Sequence, residues 1–281
     1  MINTCLVGDC RSKLKEISDG SVQCCITSPP YWNLRDYGHD DQIGLEPSPA
    51  EYVAQMVEVF REVRRVLADD GVLWLNLGDS YATAQLKSSN IKHKDLIGIP
   101  WMVAFALRYD GWYLRQDVIW SKPNPMPESI TDRCTKSHEY VFMMTKSARY
   151  FYDQESIKED LKHPAAMVSS GFGGHKKSGG ATYSGSTYDA SALNGKNKRS
   201  VWTLSKSNFT GSHCAVMPEK LVETCVLAGS KVGDTVLDPF FGSGTVGQVS
   251  ERLGRNWIGV ELNTDYLELQ SERTSQRGLG I

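Results

Sequence analysis

Two stretches of this 281-residue chain combine chemically useful side chains with a backbone stiff enough to aim them. The first is Ser28-Pro29-Pro30-Tyr31. Both prolines lock φ and neither has an N–H, so the stretch presents mainly acceptors in set directions. A rigid acceptor beside an aromatic ring suits a planar ligand that donates from an NH₂ group. Ser28 and the Pro29 carbonyl would take the amine hydrogens while Tyr31 stacks on the plane. Taken alone, the same four residues also describe a strand-ending turn with a packed tyrosine.

The second stretch is Gly242-x-Gly244-x-x-Gly247, with Asp238, Phe240, Ser243 and Thr245 around it and Glu261 about twenty residues on. Formally this matches a dinucleotide fingerprint. Glycines, however, let a backbone approach any adenosyl ligand, and an acidic side chain grips any ribose diol. Asp238-Pro239 before the turn fits a nicotinamide site poorly, because proline removes a donor and aspartate favours a cation. S-adenosylmethionine carries a sulfonium and an ammonium. On these residues the sulfonium cofactor is the better match, with a dinucleotide left open.

Both stretches need elements to hold them. The apolar run Val22–Thr27 reads as a buried strand stopped by the prolines, and Thr4–Val7 as a strand ending at Gly8-Asp9. Ser48-Pro49-Ala50-Glu51 forms a capping box ahead of a helix with Val53, Met56, Val57, Phe60, Val63 and Leu67 at helical spacing. That helix is expected to stop at Asp69-Asp70-Gly71, with a strand over Val72–Leu77. A helix over Ile99–Tyr109 and strands over Trp112–Trp120 and Glu139–Thr145 follow. Later come helix Glu219–Ala228, strand Thr235–Asp238, helix Thr245–Leu253, strand Asn256–Val260 and helix Thr264–Arg273. Alternating strands and helices predict an α/β fold with a mostly parallel sheet and helices on both faces. In such sheets ligands bind beyond the carboxyl ends of the strands, where Asp9, Ser28–Tyr31, the glycine turn and Glu261 all fall.

Between the two halves the composition changes. Ser169–Thr187 holds six glycines and five serines, and Lys158–Lys206 holds eight Lys/Arg against three Asp/Glu. The organisation expected is 1–154 and 206–281 as two halves of one domain, with 155–205 a basic Gly/Ser-rich insertion. Net charge is −2, so bulk charge does not announce a nucleic-acid binder. Seven scattered cysteines without C-x-x-C spacing imply free thiols and no metal site. No run suits a membrane span, and MINTCLVGDC lacks the pattern of a signal peptide, so a cytoplasmic location is expected.

Ile26-Thr27-Ser28-Pro29-Pro30-Tyr31 resembles the catalytic motif of DNA methyltransferases that modify an exocyclic amine. Asp238-Pro239-Phe240-Phe241-Gly242-Ser243-Gly244-Thr245 resembles their cofactor motif. The order of the two resembles the β-type arrangement, a circularly permuted, Rossmann-like S-adenosylmethionine-dependent methyltransferase fold with an inserted target-recognition region. Trp120 to Ser129, Ser137 to Phe142 and His213 to Lys220 are further likenesses, so the resemblance covers nearly all the chain outside roughly 155–200.

The resemblance implies roles residue by residue. Glu261 would accept the ribose diol, and Phe240 with Gly242, Ser243, Gly244 and Thr245 would follow the adenosyl and methionine parts. Asp9 would stand near the adenine amine, and Pro218 to Lys220 near the methionine end. Ser28, Pro29, Pro30 and Tyr31 would hold a base flipped from double-stranded DNA, with the Trp32–Tyr37 loop closing over it. Serine in this motif implies N4 of cytosine, with N6 of adenine as the alternative. Lys176, Lys177, Lys196, Lys198 and Arg199 of the insertion are the expected phosphate partners. A homodimer and a cognate restriction endonuclease are partners the family admits. Cys24 and Cys25 read as strand core, since amine methylation needs no thiol nucleophile. More remote readings are a nicotinamide oxidoreductase, a methyltransferase for an RNA amine or a protein amide, and a non-catalytic DNA-binding module.

Overall fold

A computed structural model of the chain describes residues 1–39, 41–84, 86, 90–160, 195–205 and 217–275. The chain divides into two compact units, Met1–Asp153 with Ser200–Ile281, and Gln154–Arg199.

The first unit is built on one sheet. Its strands in chain order are β1 (Thr4–Val7), β2 (Val22–Thr27), β3 (Leu67–Leu77), β4 (Tyr113–Ser121), β5 (His138–Thr145), β6 (Val201–Thr203), β7 (Thr235–Asp238) and β8 (Asn256–Glu261). Across the sheet they run β1-β8-β7-β2-β3-β5-β4-β6. Neighbours from β1 to β3 are all parallel. Strand β5 is antiparallel to both β3 and β4, and β6 is parallel to β4. The helices are α1 (Cys10–Lys13), α2 (Pro49–Val66), α3 (Ile99–Tyr109), α4 (Glu219–Gly229), α5 (Thr245–Arg252) and α6 (Leu267–Ser275).

The strand alternation explains the two helical layers. Cys25, Leu73 and Leu75 bury in one core with Met56 and Phe60 of α2 and Val103 of α3. Cys24 and Trp74 face the other way, so close to α4 that a Cβ on Gly229 would lie 2.7 Å from the Cys24 sulfur. The fold is thus the expected mostly parallel sheet covered on both faces.

Helix α2 shows how the sequence makes its element. Ser48 Oγ accepts from the Glu51 N–H at 3.3 Å, and Pro49 opens the first turn. Tyr52, Met56, Val59, Phe60, Val63 and Val66 are fully buried, each worth about 1.5–3 kcal/mol. The stripe is rotated slightly from the expected one: Val53 and Val57 lie at its flank, only partly buried.

Most element ends lie within a residue or two of the expectation, and three places differ in kind. Leu67 is not the last helical residue but the first of β3, with ψ at 140°. It pairs with Val22, and the register then shifts so that Cys24 pairs with Val72, leaving Asp69-Asp70-Gly71 in an irregular excursion within the strand. The final helix begins as a 3₁₀ turn over Thr264–Tyr266, capped by Asn263, before α6. Strand β6 falls inside the segment assigned to the insertion. It joins the sheet because Trp202 buries against Trp74, with ring centroids 6.0 Å apart, and Trp120 Nε1 donates to the Leu204 carbonyl at 2.9 Å. The Gly/Ser-rich stretch 169–187 lies outside the described residues. Among those described, no helix is long and apolar enough to cross a membrane.

Candidate active site

Strands β8, β7, β2 and β3 are parallel neighbours, so their carboxyl ends meet at one edge of the sheet. A cavity of about 410 Å³ opens there. Its wall includes Asp9, Ser28, Pro29, Pro30, Tyr31, Asp238, Phe240, Gly242, Ser243, Thr245 and Glu261. Residues more than two hundred positions apart in the chain therefore share one chamber, within the range of small-molecule sites. Gly244 does not line it; with φ at +82° it caps the start of α5. Lys220 does not line it either. Its ammonium pairs with Glu223 at 2.9 Å on the exposed side of α4, and Met217 is what that stretch brings to the wall.

The glycine turn is held from several sides. Gly242 and Gly244 have positive φ. Gly247 serves packing: a Cβ there would lie 2.7 Å from the Phe241 ring, and one on Gly259 2.4 Å from it. Phe241 stacks on Trp257 at 4.9 Å between these glycines. Gln270 Nε2 donates to the Gly242 carbonyl at 2.7 Å, and Arg273 donates to Ser243 Oγ at 2.6 Å and Thr245 Oγ1 at 2.9 Å. These two α6 residues were not expected at the site.

Two carboxyl groups, Asp238 and Glu261, flank the turn. Asp238 is 2% exposed and accepts from Thr27 Oγ1 at 2.6 Å and the Phe240 N–H at 3.0 Å. Burial pushes its carboxyl up to about 7, against those two hydrogen bonds and with the Glu261 charge adding to the rise. Glu261 is also raised by burial, while its oxygens accept from the Gly242 N–H at 2.6 Å and the Asn263 N–H at 2.8 Å. A cation entering this chamber would offset both desolvation costs. Asp9 caps α1, and its carboxylate is gripped by Arg11. Burial raises it, but the Arg11 hydrogen bonds and charge outweigh burial and hold it below the usual carboxylate range.

Beyond β2 the phenol of Tyr31 sits in a polar cluster that sequence reading missed. Its hydroxyl donates to Glu139 Oε2 at 2.7 Å and receives Ser28 Oγ at 3.2 Å. Asn76 Nδ2 donates to the Tyr31 oxygen and to Glu139 Oε2 at 2.7 Å. Lys122 pairs with Glu139 Oε1 and lies over the Trp120 ring at 4.4 Å. Burial works against the Glu139 charge, but Lys122 and the donated hydrogen bonds hold its carboxyl below the usual range. Burial and the same carboxylate raise Tyr31 well above the usual phenol. Gly78 makes room for the ring, since a Cβ there would lie 2.5 Å from it. The signal for Asn76 and Glu139 was available, as each is a polar residue set in an apolar strand.

Nearby, Tyr52 donates to the Pro30 carbonyl at 2.9 Å and so fixes the turn on α2. Trp32 is core, 3% exposed, with Nε1 donating to the Glu46 carbonyl at 2.9 Å. Tyr37 lines the cavity. Cys24 and Cys25 are fully buried strand residues whose thiols burial raises.

In the second unit, Lys196 and Arg199 approach Glu159 at 3.6 and 2.9 Å, so one carboxylate already offsets part of their charge. Lys176 and Lys177 lie outside the described residues.

Residues 22–272 match the family model described as DNA methylase, N6_N4_Mtase. The Type II methyltransferase M.Cfr9I of Citrobacter freundii is 44% identical over 289 residues, covering 96% of this chain and 87% of that protein. M.SmaI of Serratia marcescens is 43% identical, covering 97% and 90%. Among solved structures, the PvuII DNA methyltransferase (cytosine-N4-specific) superposes with a TM-score of 0.68 at 20% identity, covering 98% of this chain and 86% of that one. A putative DNA modification methylase from Thermus thermophilus, complexed with S-adenosyl-L-methionine, gives 0.64 at 26% identity, covering 98% and 94%.

Proposed function

This chain belongs to the N6_N4_Mtase family of DNA methylases, and we propose that it methylates the exocyclic N4 amine of a cytosine flipped from duplex DNA. The order of its motifs fits the β-type, permuted arrangement. One observation carries the reading: Ser28–Tyr31 and the Asp238–Thr245 turn line the same cavity. The acceptor for an amine and the cradle for a charged cofactor thus open on one volume.

The cofactor is S-adenosyl-L-methionine, which supplies a methyl group on a sulfonium. The residues present fit it. Asp238 is a fully buried carboxylate whose desolvation a cationic ligand relieves. Glu261 at the end of β8 stands for the ribose diol. Phe240, Gly242, Ser243 and Thr245 line the path between them, with Gly244 shaping the turn behind them. Asp9 stands for the adenine amine.

The protein's work on the base is positional. An exocyclic aromatic amine is a poor nucleophile because its lone pair is delocalised into the ring. Ser28 Oγ and the Pro29 carbonyl accept its hydrogens and draw the nitrogen toward sp³ geometry, which frees the lone pair. Tyr31 stacks on the base plane. Orientation and electrostatic placement supply the rate, and no thiol nucleophile takes part. The resemblance of the serine form of the motif to N4-cytosine enzymes supports cytosine as the target, with N6 of adenine as the alternative. Basic residues of the Gln154–Arg199 unit hold the DNA phosphates, giving affinity and register. A Type II restriction endonuclease is the partner whose cutting such methylation would block.

The test is direct. Purified protein is incubated with unmodified duplex DNA and methyl-labelled S-adenosylmethionine, the DNA is digested, and the labelled nucleoside is identified by mass. Label in N4-methylcytosine supports the full reading. Label in N6-methyladenine keeps the chemistry and overturns the choice of base. DNA without label overturns the function.

A further inference from the structure

A serine hydroxyl can donate or accept, and it rotates to suit its surroundings. Ser28 helps an amine only by accepting, so its own hydrogen needs another destination. The structure supplies one. Ser28 Oγ donates to the Tyr31 oxygen at 3.2 Å. That oxygen is available as an acceptor because the Tyr31 hydrogen is already given to Glu139 Oε2 at 2.7 Å.

The order of this chain is imposed from its far end. An ionised carboxylate only accepts, and the ammonium of Lys122 on Oε1 keeps Glu139 ionised. Asn76 cannot reverse the pattern. Its Nδ2 donates to both Glu139 and Tyr31, whereas a flipped amide would set its oxygen against the carboxylate. With its hydrogen on Glu139, the Tyr31 oxygen holds two lone pairs. One takes Asn76 and the other takes Ser28.

We propose that Lys122, Glu139, Asn76 and Tyr31 form a polarity relay that commits Ser28 to accept from the target amine. Glu139, Asn76 and Lys122 are positioning residues, brought from β5, β3 and the end of β4 to the cavity wall beside the Ser28–Tyr31 turn. No proton moves along the relay; it fixes which atom points where. This inference rests on the amine-methylation reading.

Glu139→Gln reverses the relay. The glutamine oxygen stays with Lys122 and its NH₂ faces Tyr31. Tyr31 then turns its hydrogen toward Ser28 and occupies the acceptor that the amine needs. The turnover number of the variant on duplex DNA should fall on the order of 10- to 100-fold, the scale of one charge-assisted hydrogen bond. S-adenosylmethionine affinity, read by calorimetry, should stay within about twofold. In a Tyr31→Phe background the relay is already cut, so Glu139→Gln should cost no more than about twofold. Equal losses in both backgrounds would reveal a merely structural role and overturn the proposal.

Neutron diffraction of deuterated, ligand-free protein gives a readout independent of turnover. The Ser28 deuteron should lie toward Tyr31, and the Tyr31 deuteron toward Glu139. A Tyr31 deuteron directed at Ser28 overturns the relay while leaving the methyltransferase reading intact. Deuterons in the expected order, in a protein that methylates no exocyclic amine, would overturn the relay's role together with that reading.

Discussion

Asp238→Asn tests the electrostatics of the cofactor pocket. Asp238 is fully buried, and its carboxyl is pushed from the ordinary 3.8 up to about 7. Between those values the native protein keeps a proton that the unfolded chain has released. The unfolded state then binds fewer protons, so this group's contribution to stability falls as pH rises from about 4 to about 7. The interval is about three pH units at about 1.4 kcal/mol each, or up to about 4 kcal/mol. Glu261 is shifted in the same direction, so only a comparison of wild type with variant isolates Asp238. Asparagine retains an acceptor for Thr27 and the Phe240 N–H but carries no charge. In ligand-free urea melts, the variant should gain on the wild type by about 3 kcal/mol between pH 4.5 and 7.5, the part of that interval lying above pH 4.5. Cofactor binding should move the other way. S-adenosylmethionine affinity should rise with pH up to about 7 in the wild type, with a proton released on binding at lower pH. In the variant that rise should be smaller, leaving only what Glu261 contributes, and the affinity weaker on the order of 10- to 100-fold. A stability difference that is constant across this range, with a pH-independent wild-type affinity, refutes a carboxylate held against its desolvation cost.

Three further outcomes are expected. Gly78→Ala sets a methyl group 2.5 Å from the Tyr31 ring, so the ring must move. Turnover should drop by on the order of tenfold or more with about 1–3 kcal/mol lost in chemical melts, and wild-type turnover would refute Gly78 as the seat of Tyr31. Cys24→Ala and Cys25→Ala remove fully buried side chains and should cost on the order of 1 kcal/mol with turnover retained. Complete inactivation of either folded variant would show that a thiol takes part. Replacing Lys176, Lys177, Lys198 and Arg199 by alanine should weaken DNA binding and flatten the plot of log affinity against log salt by about 0.9 for each phosphate no longer neutralised. An unchanged slope would remove these residues from the DNA interface.

Local chemistry made much of this readable from the chain. Prolines and glycines mark strand ends because they alter φ and donor count wherever they stand, so β2 and β7 were placed together with the turns that follow them. Periodicity located α2, α3 and α5 within a residue or two at their ends. It misassigned Leu67, because an apolar residue at a helix end satisfies either element until its pairing with Val22 decides. It also passed over β6, whose three residues are too few to carry a period.

What the sequence determined by itself is the inventory of local devices: a proline-stiffened acceptor beside a tyrosine, a glycine turn preceded by an aspartate, an acidic residue at the next strand end, and their order. Sheet topology decided the rest. Parallel pairing of β8, β7, β2 and β3 brings these devices to one edge, a result of registers between segments over two hundred residues apart. The same packing left Lys220 outside the cavity, because the side chain leaves α4 toward Glu223 and solvent. It brought Asn76, Lys122 and Glu139 to the cavity wall beside Tyr31. Nothing local in those three residues specifies their meeting. Their hydrogen bonds exist only where β3, β4 and β5 pair side by side, and burial there makes each polar group dependent on the others.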